Sequence, residues 1–170
     1  HCESSAASDV YKRQADGRWQ PTFPRAQYLF AEDEWHHWRQ EAQEYGPVIE
    51  DSVKPIFDAG QAVIVAQQHQ VTDEVSLQPT PGHTPGHVSV RIQSKGEVAI
   101  ITGDMIHHPC QIAHPQWSTL ADTDPCAAAQ TRGDFLQRYS DQPVLVIGTH
   151  FAAPTAGHIV KDGNSYRLDY

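Results

Sequence analysis

The stretch PTPGHTPGHVSV, Pro79 to Val90, sets two Pro-Gly pairs around two histidines and then alternates apolar with polar residues. Pro81-Gly82 permits a tight turn, and Thr84-Pro85-Gly86 stiffens the chain on the far side of His83. The imidazole of His83 is therefore held with little rotational freedom, and a preorganised side chain loses less entropy on taking a ligand. The period-two alternation of HVSVRIQ (His87–Gln93) predicts that this loop feeds a half-buried strand.

Two further segments end in the same manner. EVAIITGD (Glu97–Asp104) is a β-branched run closed by Gly-Asp, and PVLVIGTH (Pro143–His150) is an apolar run closed by a histidine. Strand ends on one edge of a sheet deliver side chains to a single rim, so His83, Asp104 and His150 are expected to share one. A carboxylate at the end of so apolar a run must be paired, hydrogen-bonded or metal-bound, because an uncompensated buried charge is very costly. Its two oxygens can also bridge two cations about 3.5–4 Å apart. Intervals of 21 and 46 residues separate the three side chains, so only the fold can bring them together.

Around this frame, PTFPRAQYLF (Pro21–Phe30) reads as a loop running into a short strand. A helix is expected over about Glu32 to Tyr45, and a second from Pro47 to Gly60 with Pro55 interrupting or kinking it. Ala62–Ala66 and Val75–Gln78 read as strands, and Gly96 as a turn. Met105 to Asp124 is read as irregular, Pro125 to Tyr139 as a helix, and the C-terminus as a hairpin turned at Asp162-Gly163-Asn164. Asp122 and Asp124 are expected to cap the helix that starts at Pro125. Trp35 and Trp38 read as core or lid contacts, while His114 and Trp117 could wall an apolar pocket.

Composition sets the outer bounds. The chain has 170 residues, 11 histidines and a formal charge of −9. That balance argues against nucleic acid or an anionic membrane as partner, since both require clustered Lys and Arg. The abundance of histidine on an acidic chain points to metal. Cys2, Cys110 and Cys126 form no CxxC pair and no even disulfide framework, which favours a reducing compartment. A cytoplasmic location is expected, with the bacterial periplasm as the alternative. No Gly-x-Ser-x-Gly elbow is present.

The ordered triple TPGHTPGH, ITGD and GTHF resembles the third, fourth and fifth metal motifs of the metallo-β-lactamase fold hydrolases. The longer run from TGDMIHHP to GTHFAAPTAGHI is most similar to the branch of methyl-parathion-hydrolase-like enzymes and acyl-homoserine-lactone lactonases. The resemblance covers Gln20 to Tyr170 and implies an α/β fold, the four-layer αββα sandwich, of which this chain would carry the C-terminal part. It implies His83 and His150 as ligands of two metals and Asp104 as the bridging, catalytic carboxylate. His87 would brace the loop, and His107, His108 and His158 would line the substrate pocket or serve the local turns. Two zinc ions are the implied cofactor, with manganese, iron or cobalt as alternatives. The partner would be a small ester, lactone, thioester or phosphotriester, and a homodimer is the assembly considered.

The family's HxHxDH signature does not occur in the chain; the early pair His36-His37 has neither its spacing nor its aspartate. DVYKRQ (Asp9–Gln14) is what a transposon-end adapter of sequencing libraries encodes. Residues 1–14 are therefore read as non-native, residues 15–170 as a partial domain, and the missing signature as upstream of the chain. Poor metal affinity and little or no turnover are expected of the 170 residues alone, a fragment read as inactive. The competing readings are a non-catalytic metal-binding or interaction module of this fold and an iron-dependent redox member of the family.

Overall fold

In a computed structural model of the chain, the structure describes residues 12–15, 17–40 and 49–170. Two compact units are present, one ending at Val65 and one starting at Ala66. In the first, β1 (Lys12–Ala15) and β2 (Arg18–Pro21) form an antiparallel hairpin. Next, β3 (Tyr28–Ala31) pairs in parallel with β4 (Ala62–Val65). Parallel neighbours need a long crossover, and α1 (Glu32–Gln40), a π-helical turn (Ile49–Val53) and α2 (Lys54–Asp58) lie along it. Glu32, Asp33 and Glu34 occupy the first turn of α1 and His37 and Arg39 its last, which opposes the helix dipole at both ends. Trp35 stacks on Phe57 at 4.4 Å, and Phe30 meets the same ring at 5.5 Å, so Trp35 is a packing residue. Residues 41–45 of the expected first helix and Pro47 of the second lie outside the described residues. Pro55 does not kink a long helix. It stands where the π-helical turn Ile49–Val53 gives way to α2, so it interrupts the helical segment there.

The second unit is a six-stranded sheet in the order β10-β9-β8-β7-β6-β5. Its strands are β5 (Val75–Pro79), β6 (Val88–Ser94), β7 (Glu97–Ile101), β8 (Val144–Ile147), β9 (Ala156–Asp162) and β10 (Ser165–Asp169). All pairs are antiparallel except β7 with β8. The connection between those two carries a 3-10 turn (Gly103–Met105), α3 (Cys110–Ala113) and α4 (Pro125–Tyr139). The segment read as irregular thus contains a short helix, too brief for a period-3.6 pattern to register.

One face of the sheet offers Ile100, Val146, Ile159 and Leu168, which pack with Ile106, Ile112, Phe135 and Leu136. Each such side chain contributes roughly 1.5–3 kcal/mol through burial. The other face carries Leu77, Val90, Ile92, Ala99, Ile101, Leu145 and Ile147 by alternation, and none of these is fully buried. Among the described residues, no helix is long and apolar enough to cross a membrane.

Candidate metal centre

Strand register builds the rim. Val90 pairs antiparallel with Ile101, and three more residues along each strand bring His87 opposite Asp104. Ile101 pairs in parallel with Ile147, and the same three-residue step brings Asp104 beside His150. The 46-residue interval seen in the sequence is the register offset of β7 and β8.

His83 reaches the rim through its turn, which is docked on the start of α4. Thr123 N–H donates to His83 O at 2.8 Å and Asp124 N–H to Gly82 O at 2.9 Å. Gly82 has φ +132°, and a Cβ there would lie 2.2 Å from Ala128 N; only glycine permits that approach. Gly103, with φ +58°, is similarly required, because a Cβ would meet His87 Nε2 at 2.8 Å.

The hydrogen bonds assign each ring a role. Asp104 N–H donates to His87 Nε2 at 3.0 Å, while His87 Nδ1 lies 2.8 Å from Thr80 Oγ1 and 3.0 Å from Thr80 O. The network therefore places the His87 proton on Nδ1, and both ring nitrogens are engaged within the protein. His83 Nδ1 lies 3.3 Å from Asp122 Oδ1, which leaves Nε2 facing Asp104 Oδ2 at 3.4 Å. Asp104 Oδ1 accepts from His150 Nε2 at 2.8 Å.

Behind His83, Asp122 has a side chain with no exposed surface and lies 3.3 Å from Arg132, also fully buried. Arg132 donates to the carbonyls of Met105, Pro115 and Trp117, to Ser118 Oγ and to Asp122 Oδ2. Its five donors are matched by five acceptors, and they fasten the loop between Met105 and Asp122 against α4.

Three residues, His83, Asp104 and His107, each bring a donor atom within 4.8 Å of the others. The His107 ring lies 5.0 Å from that of His83 and 5.1 Å from that of His150. Its Nδ1 is buried with no hydrogen-bond partner, an uncommon and costly state for a polar atom. Burial pushes the His107 ring below its ordinary titration range, and His83 adds to that effect, so the ring stays neutral as a ligand must. Burial pushes the Asp104 carboxyl up, but the hydrogen bond from His150 and the fields of His83, His150 and His107 outweigh it and hold the group below its ordinary range.

These residues fit a divalent cation. Two donors each about 2.1 Å from one tetrahedral ion stand about 3.4 Å apart, which is the His83–Asp104 separation. With the His83 proton on Nδ1, that pair otherwise sets a lone pair against a carboxylate oxygen. Imidazole and carboxylate donors suit zinc and its first-row neighbours.

The structure brings His83, Asp104, His150, His87 and His107 together. It does not bring His108 or His158. The His108 ring is exposed and accepts Cys110 N–H at 3.1 Å, opening α3. His158 sits opposite Leu145 and bonds Val144 O at 3.0 Å, away from the rim end of β8. Of the two aspartates expected to cap α4, Asp124 does so, accepting from Cys126 and Ala127 N–H; Asp122 grips His83 and Arg132 instead. One signal could have revealed Arg132: it shares an i, i+4, i+7, i+8 stripe with Ala128, Phe135 and Leu136, so a charge sits where the apolar face should be.

Comparison with known proteins gives the family and the fold. A family model described as the metallo-beta-lactamase superfamily matches residues 17–150. No curated protein sequence matches. Among solved structures, the hydrolase AbOPH of the beta lactamase superfamily aligns with TM-score 0.77 and 25% identity over 87% of this chain. AidC, a dizinc quorum-quenching lactonase solved with a product, aligns with TM-score 0.76 and 22% identity over 88%. An N-acyl homoserine lactone hydrolase with product at its catalytic metal centre aligns with TM-score 0.56 and 19% identity over 74%. The chain spans 56% of the length of each of the first two and 47% of the third.

Proposed function

The chain belongs to the metallo-beta-lactamase superfamily, and we propose that its rim is the metal-holding part of a hydrolase acting on an ester, lactone, thioester or phosphotriester. One observation carries the reading: Asp104 has an imidazole at each carboxylate oxygen, His83 at Oδ2 and His150 at Oδ1. Divalent zinc, or manganese, iron or cobalt in its place, would supply a hydroxide at neutral pH and polarise the bond under attack. In a two-ion arrangement His83 and His150 would face separate ions and Asp104 would serve both. Asp122 orients His83 so that Nε2 is the free nitrogen. His87 fixes the backbone at Asp104, and the Arg132 clamp holds the loop bearing His107. Among the described residues no cysteine is at the rim to act as nucleophile: Cys126 is exposed on α4 and Cys110 lies in α3. Among the four substrate classes, the lactonase neighbours favour the lactone.

The 170 residues supply few donors and contain no HxHxDH stretch, so slow turnover is expected. That scarcity also supports a second reading, a metal-binding module without catalysis. The test is hydrolysis of an N-acyl homoserine lactone, an aryl ester and a phosphotriester by the zinc-loaded chain, before and after chelation. Slow turnover that disappears with chelator and in Asp104→Asn is expected. Turnover surviving both treatments rejects the metal-hydrolase reading, and stoichiometric metal without turnover selects the second one.

A further inference from the structure

The loop after β7 holds one side chain whose root is fastened and whose ring is not. The backbone N–H of His107 donates to Gln111 Oε1 at 2.8 Å, and the buried Gln111 passes its own amide to Trp117 O at 2.9 Å. Two residues earlier, Met105 O receives a hydrogen bond from Arg132. The imidazole thus projects from backbone pinned on both sides, yet its buried Nδ1 has no partner. A ring that merely walled an apolar pocket would turn that nitrogen to water or to a protein group, because burying it unpaired is costly.

We propose that His107 is itself a metal ligand, completing with His83 and Asp104 the site of one divalent ion, while His150 stays at the other oxygen of Asp104. Two observations separate the roles of His107 and His150. His150 Nε2 lies 2.8 Å from Asp104 Oδ1, on the opposite carboxylate oxygen from His83. His107 belongs to the group whose donors lie within 4.8 Å of one another, on the side of His83. The assignment rests on the reading of the rim as a metal centre and does not depend on hydrolysis.

The test is metal binding by the whole chain, with cobalt(II) followed by its visible absorption and zinc(II) by calorimetry. His107→Gln is expected to weaken both by about tenfold or more and to diminish the cobalt spectrum. His36→Ala, on α1, controls for the loss of any imidazole and is expected to bind as the parent does. Affinity within about threefold of the parent in His107→Gln, with an unchanged spectrum, overturns the assignment, as does a parent chain that takes up no cobalt at millimolar concentration. If His107→Gln melts lower in chelator, His107→Asp decides: a carboxylate that restores cobalt binding supports a ligand role, and one that does not removes it. Cobalt held through His107 without turnover would sink the hydrolase reading alone. Turnover with full metal affinity in His107→Gln would sink this assignment alone.

Discussion

Two aspartates approach the same imidazole from opposite sides, and they are not alike. Asp104, at the end of β7, is 33% exposed in its side chain and has only histidines around it. Asp122, from the loop before α4, is 0% exposed and is paired with an equally buried arginine. A carboxylate neutralised by a buried guanidinium can orient His83 but has no charge to spare for a cation. A carboxylate surrounded by neutral or weakly basic rings does. The strand-end rim is therefore where metal belongs, and the loop behind it is a clamp that sets the tautomer and position of the ligand. Placing the two functions in separate regions lets the rim remain partly open while its support stays rigid.

The contrast breaks most visibly at Arg132. Arg132→Leu leaves Asp122 as an unpaired buried charge and releases four further acceptors, a loss of about 3–5 kcal/mol readable by urea denaturation of the metal-free chain. Adding Asp122→Leu should return much of that stability, since a buried pair replaced by apolar side chains is often near neutral. It should lower metal affinity, because His83 then loses the Asp122 carboxylate that orients it. If the double variant binds metal as the parent does, the clamp has no role in setting the ligand.

A smaller effect sharpens the same distinction. Asp122→Asn is expected to lower stability by about 1–3 kcal/mol and metal affinity by about 10–100-fold, as loss of a ligand's outer partner does. Asp104→Asn should reverse the order, with a larger loss of metal affinity and a stability change under about 1 kcal/mol. Calorimetry with zinc alongside chemical denaturation reads both quantities. Equal profiles for the two variants would show that the aspartates do not divide the work.

The rim was legible because it lies on regular structure. His83, Asp104 and His150 each close or precede an apolar strand run, and β-strand register converts a constant interval into adjacency. Within the sheet, β6 followed from its period-two alternation and β7 and β8 from their apolar runs, while α4 followed from the proline that opens it. The clamp was far harder to read. Asp122 looks like a helix cap in DTDP, and only a three-dimensional loop turns it toward His83 while Asp124 takes the cap. Arg132 leaves a trace as a charge on an apolar stripe, but its acceptors are backbone carbonyls, and any sequence supplies those. His107 could not be separated from His108 by spacing, since both come within one turn of Asp104. What separates them is that His108 Nδ1 accepts Cys110 N–H while the buried His107 Nδ1 has no hydrogen-bond partner.

The unpaired His107 nitrogen also carries a small cost in the metal-free protein. The His107 ring titrates below its ordinary value near 6.5, so just beneath that pH the unfolded chain binds a proton that the folded chain refuses. Stability must fall as pH falls through this window, by at most about 1.4 kcal/mol per pH unit for one proton. Asp104 acts lower down. Its carboxyl lies below an ordinary value of 3.8, so its contribution is intact above that value and is lost as pH falls beneath it toward the folded-state value. His107→Gln should remove the upper loss and leave the lower one, and the difference between the two stability curves in chelator isolates it. A difference curve that is flat below pH 6.5 would mean that water reaches the ring. The unpaired nitrogen would then be solvated, and the rim would owe its character to Asp104 and His83 alone.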